Sequence, residues 1–162
     1  MLIALTGPVC SGKTFLAKKL KRKGIFVIHL NEWIKERRNL IIGYDRKLKA
    51  YIIDNEKVGK MLKEYIKEIE KKENKILVES HLLPDINIKF DIAIIIDTKP
   101  ELLYKRMKAR KYNKEKIEQN LIALHLDYFW IKTRAKKKIR FKPSYKKKDV
   151  DKIMAIIKKY KF

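Results

Sequence analysis

The chain has 162 residues, room for one domain and little more, and its apolar share of 46% excludes global disorder. Lys and Arg number 42 against 19 acidic residues, a formal charge of +23, which favours polyanionic partners over cationic ones. No apolar run approaches the roughly 20 residues that cross a bilayer, and the single cysteine, Cys10, excludes an internal disulfide or a multi-cysteine metal site.

The chain opens Met1-Leu2-Ile3-Ala4-Leu5-Thr6 and runs straight into a glycine loop. With no basic n-region or cleavable signal, the protein is expected in the cytoplasm. Residues 2–6 form an apolar run that reads as a buried parallel strand. Gly7-Pro8-Val9-Cys10-Ser11-Gly12-Lys13-Thr14 then fits G-x-x-x-x-G-K-T between that strand and a helix start, the context the phosphate-loop motif requires. Its glycines let backbone N–H groups turn inward at phosphate oxygens, and the helix N-terminus adds the positive end of its dipole. Lys13 is the candidate bridge between β- and γ-phosphates, and the Thr14 hydroxyl a candidate Mg²⁺ ligand.

Further strands are expected at 26–30, 76–79 and 92–97, with a weaker one at 139–141. Asn31, Glu32 and Lys35 begin a helix after the second strand. Asn55 precedes an amphipathic stretch over 56–72, with Val58, Leu62, Tyr65, Ile66 and Ile69 on one face. Glu79 ends an apolar strand, where a carboxylate suits either a site facing Mg²⁺-bound water or a surface turn. His81, two residues on, either positions an acceptor or a water, or is a packed loop histidine. His29 and His125 read as structural, and Trp33 and Trp130 as core.

Thr98 and Pro100 open the next helix as cap and first-turn residue. Arg106 and Arg110, four apart, share one face near its end. They suit a bidentate clamp on phosphates and equally a solvated basic helix end. Asn113 caps a stretch expected to reach about residue 136, and Asp149 caps the last helix. From 132 to 148 there are ten Lys or Arg and no acid, with Phe141 and Tyr145 interleaved. Such a run suits RNA or is a solvated face; a composition of the heat-loving kind accounts for many charges but not for one sign.

Strands alternating with helices imply right-handed βαβ units and a three-layer α/β P-loop NTPase fold, with a five-stranded, mostly parallel sheet. Ligands then bind beyond the C-terminal strand ends. The length and the lack of an N-K-x-D guanine signature disfavour a GTPase.

Together these motifs resemble the adenylate kinase isoenzyme 6 family, atypical nucleoside-monophosphate kinases and ATPases that assist small ribosomal subunit maturation. The phosphate loop corresponds to G-T-P-G-V-G-K-T. Gly43-Tyr44-Asp45 with Ile53-Asp54 is similar to G-Y-D…L-D-E, and Val78-Glu79-Ser80-His81 to V-D-Y-H. Leu103-Tyr104-Lys105-Arg106…Arg110-Lys111-Tyr112-Asn113 resembles L-Y-E-R…R-G-Y-N, and Pro143-Ser144-Tyr145-Lys146 resembles P-S-N-K. The likeness spans essentially the whole chain. It departs at Cys10, which replaces a glycine, at Phe15, which replaces a hydroxyl residue, and at Glu79, which replaces Asp.

The resemblance implies one P-loop kinase domain over 1–162, with an acceptor-binding insertion at about 30–53 and a short lid at about 109–119. It implies transfer of the ATP γ-phosphoryl group to AMP or a similar monophosphate, with Mg²⁺, and ATP hydrolysis beside it. Lys13, Arg106, Arg110 and His81 are the implied catalytic residues. Gly7, Cys10, Ser11, Gly12, Lys13, Thr14, Phe15, Arg110 and Lys146 are the implied ATP contacts. Asn31, Lys35, Tyr44 and Asp45 are assigned to the acceptor, and Thr14 and Glu79 to the metal. Implied partners are ribosomal protein eleven of the small subunit and rRNA, and no membrane. Other small P-loop kinases, such as cytidylate or dephospho-coenzyme A kinase, remain the alternative, as does an ATPase assembly factor with little kinase activity.

Overall fold

The apolar runs assemble into one sheet and the segments between them cover its two faces. The computed structural model of the protein describes residues 1–160. Its strands are β1 (Leu2–Thr6), β2 (Phe26–His29), β3 (Ile41–Asp45), β4 (Ala50–Ile53), β5 (Ile76–Glu79), β6 (Phe90–Ile96) and β7 (Ala135–Phe141). Its helices are α1 (Lys13–Lys21), α2 (Leu30–Lys35), α3 (Asn55–Glu70), α4 (Pro100–Ala109), α5 (Lys114–His125), α6 (Tyr128–Lys132) and α7 (Lys148–Lys159). The main sheet has the order β2-β5-β1-β6-β7, parallel throughout, and β3 and β4 form a separate antiparallel hairpin.

Period-two alternation sends neighbouring strand residues to opposite faces. Ile3, Leu5, Leu77, Ile92 and Ile94 pack with Leu16 and Leu20 of α1 and Ile153 of α7. Ala4, Val78, Ala93 and Ile95 pack on the other face with Val58 and Leu62 of α3, Trp33 of α2 and Phe129 of α6. Ile3, Leu5, Leu77, Ile92 and Ile94 have no exposed surface, and each such burial stabilises the fold by roughly 1.5–3 kcal/mol. A third cluster joins Leu103 and Met107 of α4 to Ile117 of α5 and rests on Val9 and Cys10 of the loop after β1.

Several local expectations are corrected. The cap of α3 is Asp54, whose carboxylate accepts from the Lys57 N–H, so the helix includes Asn55. Thr98 does not cap α4; the N-cap is Lys99, and the Thr98 hydroxyl bonds the Tyr145 hydroxyl instead. Asn113 does cap α5, accepting from the Lys116 N–H, but the helix ends at His125. Asp127, at φ 54, breaks the chain there and starts α6 in a new direction. Asp149 lies inside the first turn of α7; its carboxylate holds the loop before the helix, accepting from the Ser144 N–H and hydroxyl and from the Tyr145 N–H. β6 begins at Phe90, two residues before the expected start, and β7 takes in the basic residues from Lys136 to Arg140.

Candidate active site

Parallel strands put their C-terminal ends on one edge, and there the sequence places His29, Glu79 and the loop after Thr6. Gly7 leaves β1 at φ 141, and a Cβ on it would stand 2.9 Å from the Ile96 carbonyl oxygen, so only glycine fits. Cys10 accepts the left-handed conformation expected of the residue it replaces, at φ 62, and Gly12 follows at φ 91. The loop thereby curls back over its own interior and delivers Lys13 to the start of α1.

The Lys13 ammonium is buried and donates to the Gly7 carbonyl at 2.9 Å, the Pro8 carbonyl at 2.7 Å and the Ser11 hydroxyl at 3.4 Å. Burial pushes its pKa down to about 8 against the pull of Glu79 and Cys10, and Arg110 adds to the drop. A polyanion over the loop would reverse that penalty, because it restores the interactions the charge lost on leaving water. The exposed Thr14 hydroxyl donates to Glu79 Oε1 at 3.2 Å, and Glu79 Oε2 lies 3.0 Å from His29 Nδ1. One hydroxyl and one carboxylate suit Mg²⁺, which keeps several waters and takes further ligands from phosphates. Among the described residues no group of three or more His, Cys, Asp or Glu gathers as a protein-only metal cage.

Arg106 donates to the Cys10 carbonyl at 3.1 Å and lies over the Tyr145 ring. Arg110 is exposed at the end of α4, near enough to depress Lys13. Phe15 is 54% exposed, its ring under the Lys19 ammonium at 4.9 Å, and Lys146 is exposed beside Tyr145.

On the other side of the loop, reached past Val9, a cavity of about 690 Å³ lies between α2, the β3–β4 hairpin and α5. Asn31, Lys35, Tyr44 and His81 line it, together with Lys49, Tyr51, Tyr112, Lys116, Tyr128 and Phe129. Asp45 is not in that lining; its carboxylate accepts from the Leu48 N–H at 2.8 Å and closes the hairpin turn. Asn31 Oδ1 accepts from the Ser80 hydroxyl at 2.5 Å, which fixes the wall next to His81. Burial, then the Lys13 and Lys116 charges, push the His81 pKa down to about 4. Asn113 donates to the Lys47 carbonyl, and the Lys47 ammonium stands 3.8 Å from Glu115, so the hairpin tip touches the start of α5 across the cavity mouth.

Lys116 and Tyr145 lay outside the sequence expectation. Lys116 is hidden among many surface lysines, and only the three-residue step from its cap, Asn113, marks its position. Tyr145 stands where the resembling motif has an asparagine, and that departure was its one signal. No helix among the described residues is long and apolar enough to cross a membrane.

The sheet order, the loop and the helix that follows it define a P-loop NTPase of the small-kinase fold. Shikimate kinase from Bacteroides thetaiotaomicron superposes with a TM-score of 0.60 at 15% identity, covering 98% of each chain. Deoxyadenosine kinase from M. mycoides superposes with a TM-score of 0.56 at 16% identity, covering 99% of this chain and all of that one. At such identity the likeness is one of fold. A family described as an AAA domain matches residues 3–126. Three archaeal proteins bearing the name "putative adenylate kinase" are closer in sequence. Those of Methanosarcina barkeri and Methanosarcina acetivorans are 45% and 41% identical over 129 and 130 residues, covering 78% of this chain and 67% and 68% of theirs. That of Methanocaldococcus jannaschii is 36% identical over 128 residues, covering 78% and 68%. The chain belongs to this adenylate-kinase-like family of P-loop proteins.

Proposed function

We propose that the chain is an ATP- and Mg²⁺-dependent nucleoside-monophosphate kinase that moves the γ-phosphoryl group of ATP onto AMP, giving two ADP. The observation that carries this reading is the 690 Å³ cavity beside the phosphate loop, in which Lys35, Lys49 and Lys116 face aromatic walls from Tyr44, Tyr51 and Tyr112. An acceptor with one anionic end and one flat, stacking end matches that lining. The acceptor phosphate oxygen forms the new bond to the γ-phosphorus as the bond to the ADP oxygen breaks. The protein contributes position and charge.

Lys13 neutralises charge on the transferring group, Arg106 approaches it from α4, and Arg110 from the start of the lid, residues 109–119. Gly7, Cys10, Ser11, Gly12, Thr14 and Phe15 carry the donor phosphates, with Lys146 on the base side. Asn31, Lys35 and Tyr44 hold the acceptor within the insertion, residues 30–53, while Asp45 acts through the shape of the hairpin. Thr14 and Glu79 would hold Mg²⁺, which would supply neutralisation of phosphate charge. His81, with its pKa about 4, offers a neutral imidazole that accepts or donates one hydrogen bond at the acceptor.

The isoenzyme 6 resemblance supports a second reading, ATP hydrolysis coupled to small ribosomal subunit maturation through ribosomal protein eleven and rRNA. The neutral His81, which lines the same cavity as Val9 of the phosphate loop, supports the hydrolytic half, since a water in the cavity would reach it. A coupled assay tests both readings, with ATP alone and then with AMP, CMP, UMP, GMP or dephospho-coenzyme A. ADP formation that depends on AMP is the expected result; equal rates with and without every acceptor would leave only the ATPase.

A further inference from the structure

A histidine closing an apolar strand is ordinarily a packing residue, yet His29 meets a charged partner here. Parallel register sets His29 of β2 directly beside Glu79 of β5. The ring Nδ1 lies 3.0 Å from Glu79 Oε2, while Glu79 Oε1 takes the Thr14 hydroxyl at 3.2 Å. Each carboxylate oxygen thus has its own partner, one from the neighbouring strand and one from the first turn of α1. A carboxylate only accepts, so the proton in the bond from His29 sits on Nδ1. The two side chains are 17% and 9% exposed, so water competes little for the bond.

We propose that His29 is a positioning residue for the metal, one that acts by holding Glu79. The inference rests on the assignment of Thr14 and Glu79 to Mg²⁺ made above. Glu79 is a methylene longer than an aspartate, and its extra torsion would let the carboxylate swing away from Thr14. His29 removes that freedom by occupying Oε2 and leaves Oε1, beside the Thr14 hydroxyl, turned toward the phosphate loop. Partners of this kind fix the orientation and basicity of a metal-binding carboxylate, and losing one commonly weakens the metal roughly 10–100-fold. His29 itself touches no phosphate-loop atom in the hydrogen-bond network, so its effect passes through Glu79.

Two substitutions separate positioning from packing. In His29→Asn the amide nitrogen takes the place of Nδ1 and still reaches Glu79. In His29→Gln the amide nitrogen takes the place of Nε2 and points away. Both would be made in the full chain, beside Glu79→Gln, and Mn²⁺ binding measured by electron paramagnetic resonance with saturating AMPPNP. AMPPNP binding in EDTA and the melting temperature would be recorded for each. His29→Asn should keep Mn²⁺ affinity within about 3-fold and His29→Gln should lose about 10-fold or more, with metal-free AMPPNP binding within about 2-fold in both. Equal Mn²⁺ affinity in the Asn and Gln variants, or a loss matched by metal-free nucleotide binding, overturns the positioning role. Unchanged Mn²⁺ affinity in Glu79→Gln removes the metal assignment itself and the proposal with it. A loss in Glu79→Gln alone removes only the part given to His29.

Discussion

The Arg106 guanidinium carbon stands 4.1 Å from the centroid of the Tyr145 ring, and an edge of that ring comes within 3.4 Å of where a Cβ on Gly12 would sit. One aromatic side chain therefore joins α4, the loop before α7 and the turn that delivers Lys13. Asp149 holds the Tyr145 N–H at 2.7 Å, and the Tyr145 hydroxyl meets Thr98 at 3.0 Å, so the ring is fixed at both ends. The cavity on the Val9 side is taken by the acceptor in the proposed reaction. The donor ribose and base then leave by the Tyr145 side.

Tyr145→Ala should raise the KM for ATP about 5- to 10-fold, the worth of roughly 1–1.5 kcal/mol of cation–π and stacking contact. Tyr145→Phe keeps the ring over Gly12 and loses only the bond to Thr98, so its KM should stay within about 2-fold. Steady-state kinetics at saturating AMP checks both. A Phe variant as weak as the Ala variant would shift the role from the ring to the hydroxyl.

Lys13→Met should lower turnover roughly 100- to 1000-fold, as removal of one transition-state donor does, while making the nucleotide-free protein more stable. The folded pKa of Lys13, about 8, lies below its ordinary 10.5, so folding opposes the charged form. That cost is complete below pH 8 and disappears as pH rises through 10.5. It amounts to at most about 3 kcal/mol, part of which the three hydrogen bonds already offset. Melting curves should place the variant above the wild type at pH 7, with the gap closing toward pH 10.5. A lower melting temperature at pH 7 would mean that the hydrogen bonds outweigh the burial.

For His81 the shift has the same direction. Its folded pKa of about 4 is below the ordinary 6.5, so it favours folding above pH 6.5 and loses that contribution as pH falls to 4. The AMP-dependent rate should show no titration of this group between pH 8 and 6. His81→Ala should lower turnover about 100-fold and leave the KM for ATP within about 2-fold, since the ring lies on the acceptor side. His81→Gln should flatten the acid limb of the stability profile below pH 6.5. A rate that falls with a pKa near 6.5 in the wild type and not in His81→Gln would contradict the neutral imidazole.

The phosphate loop was legible because its spacing and context are local: Gly7, Gly12, Lys13 and Thr14 act within one turn of chain. The strands were legible for the same reason, from runs such as Ile92 to Ile96. What the sequence hid was the order of those strands. Only when β2 lies against β5 does His29 face Glu79, and nothing in Phe26-Val27-Ile28-His29 points to its neighbour. The cap at Asn113 was legible, whereas two others failed by competition between polar groups, Asp54 against Asn55 and Asp149 against its own loop. The break at Asp127 was hidden because apolar residues continue at helical spacing through it. The hairpin over 41–53 was missed because Asp45-Arg46-Lys47-Leu48-Lys49 has no glycine or proline to mark its turn.

The basic run over 132–148 presents differently in the fold than in the sequence, and its RNA test changes accordingly. Lys136, Lys138 and Arg140 share one face of β7, and each meets an acceptor. Lys136 pairs with Asp91 at 2.7 Å, Lys138 donates to the Trp130 carbonyl at 2.6 Å, and Arg140 donates to Asp127 at 2.9 Å while lying over the Trp130 ring. Exposed pairs of this kind contribute roughly 0.2–1 kcal/mol each. Replacing all three with Gln should cost about 1–2 kcal/mol and lower the melting temperature by about 2–8 °C for a chain of this length. Lys132, Lys147 and Lys148 are exposed near the two ends of the run, and there a phosphate backbone would meet cations more readily. Filter binding of one single-stranded rRNA fragment across a salt series compares the two triple variants. Each lost phosphate contact should reduce the log–log slope by roughly 0.7. Lys132, Lys147 and Lys148 to Gln should flatten the slope by up to about two such steps, with turnover on ATP and AMP unchanged. The β7 variant should leave it within one. The opposite ranking would restore the strand face as the RNA surface, its internal pairs being exchanged for phosphates on binding. Equal slopes in both variants and the wild type would reduce the whole run to a solvated face.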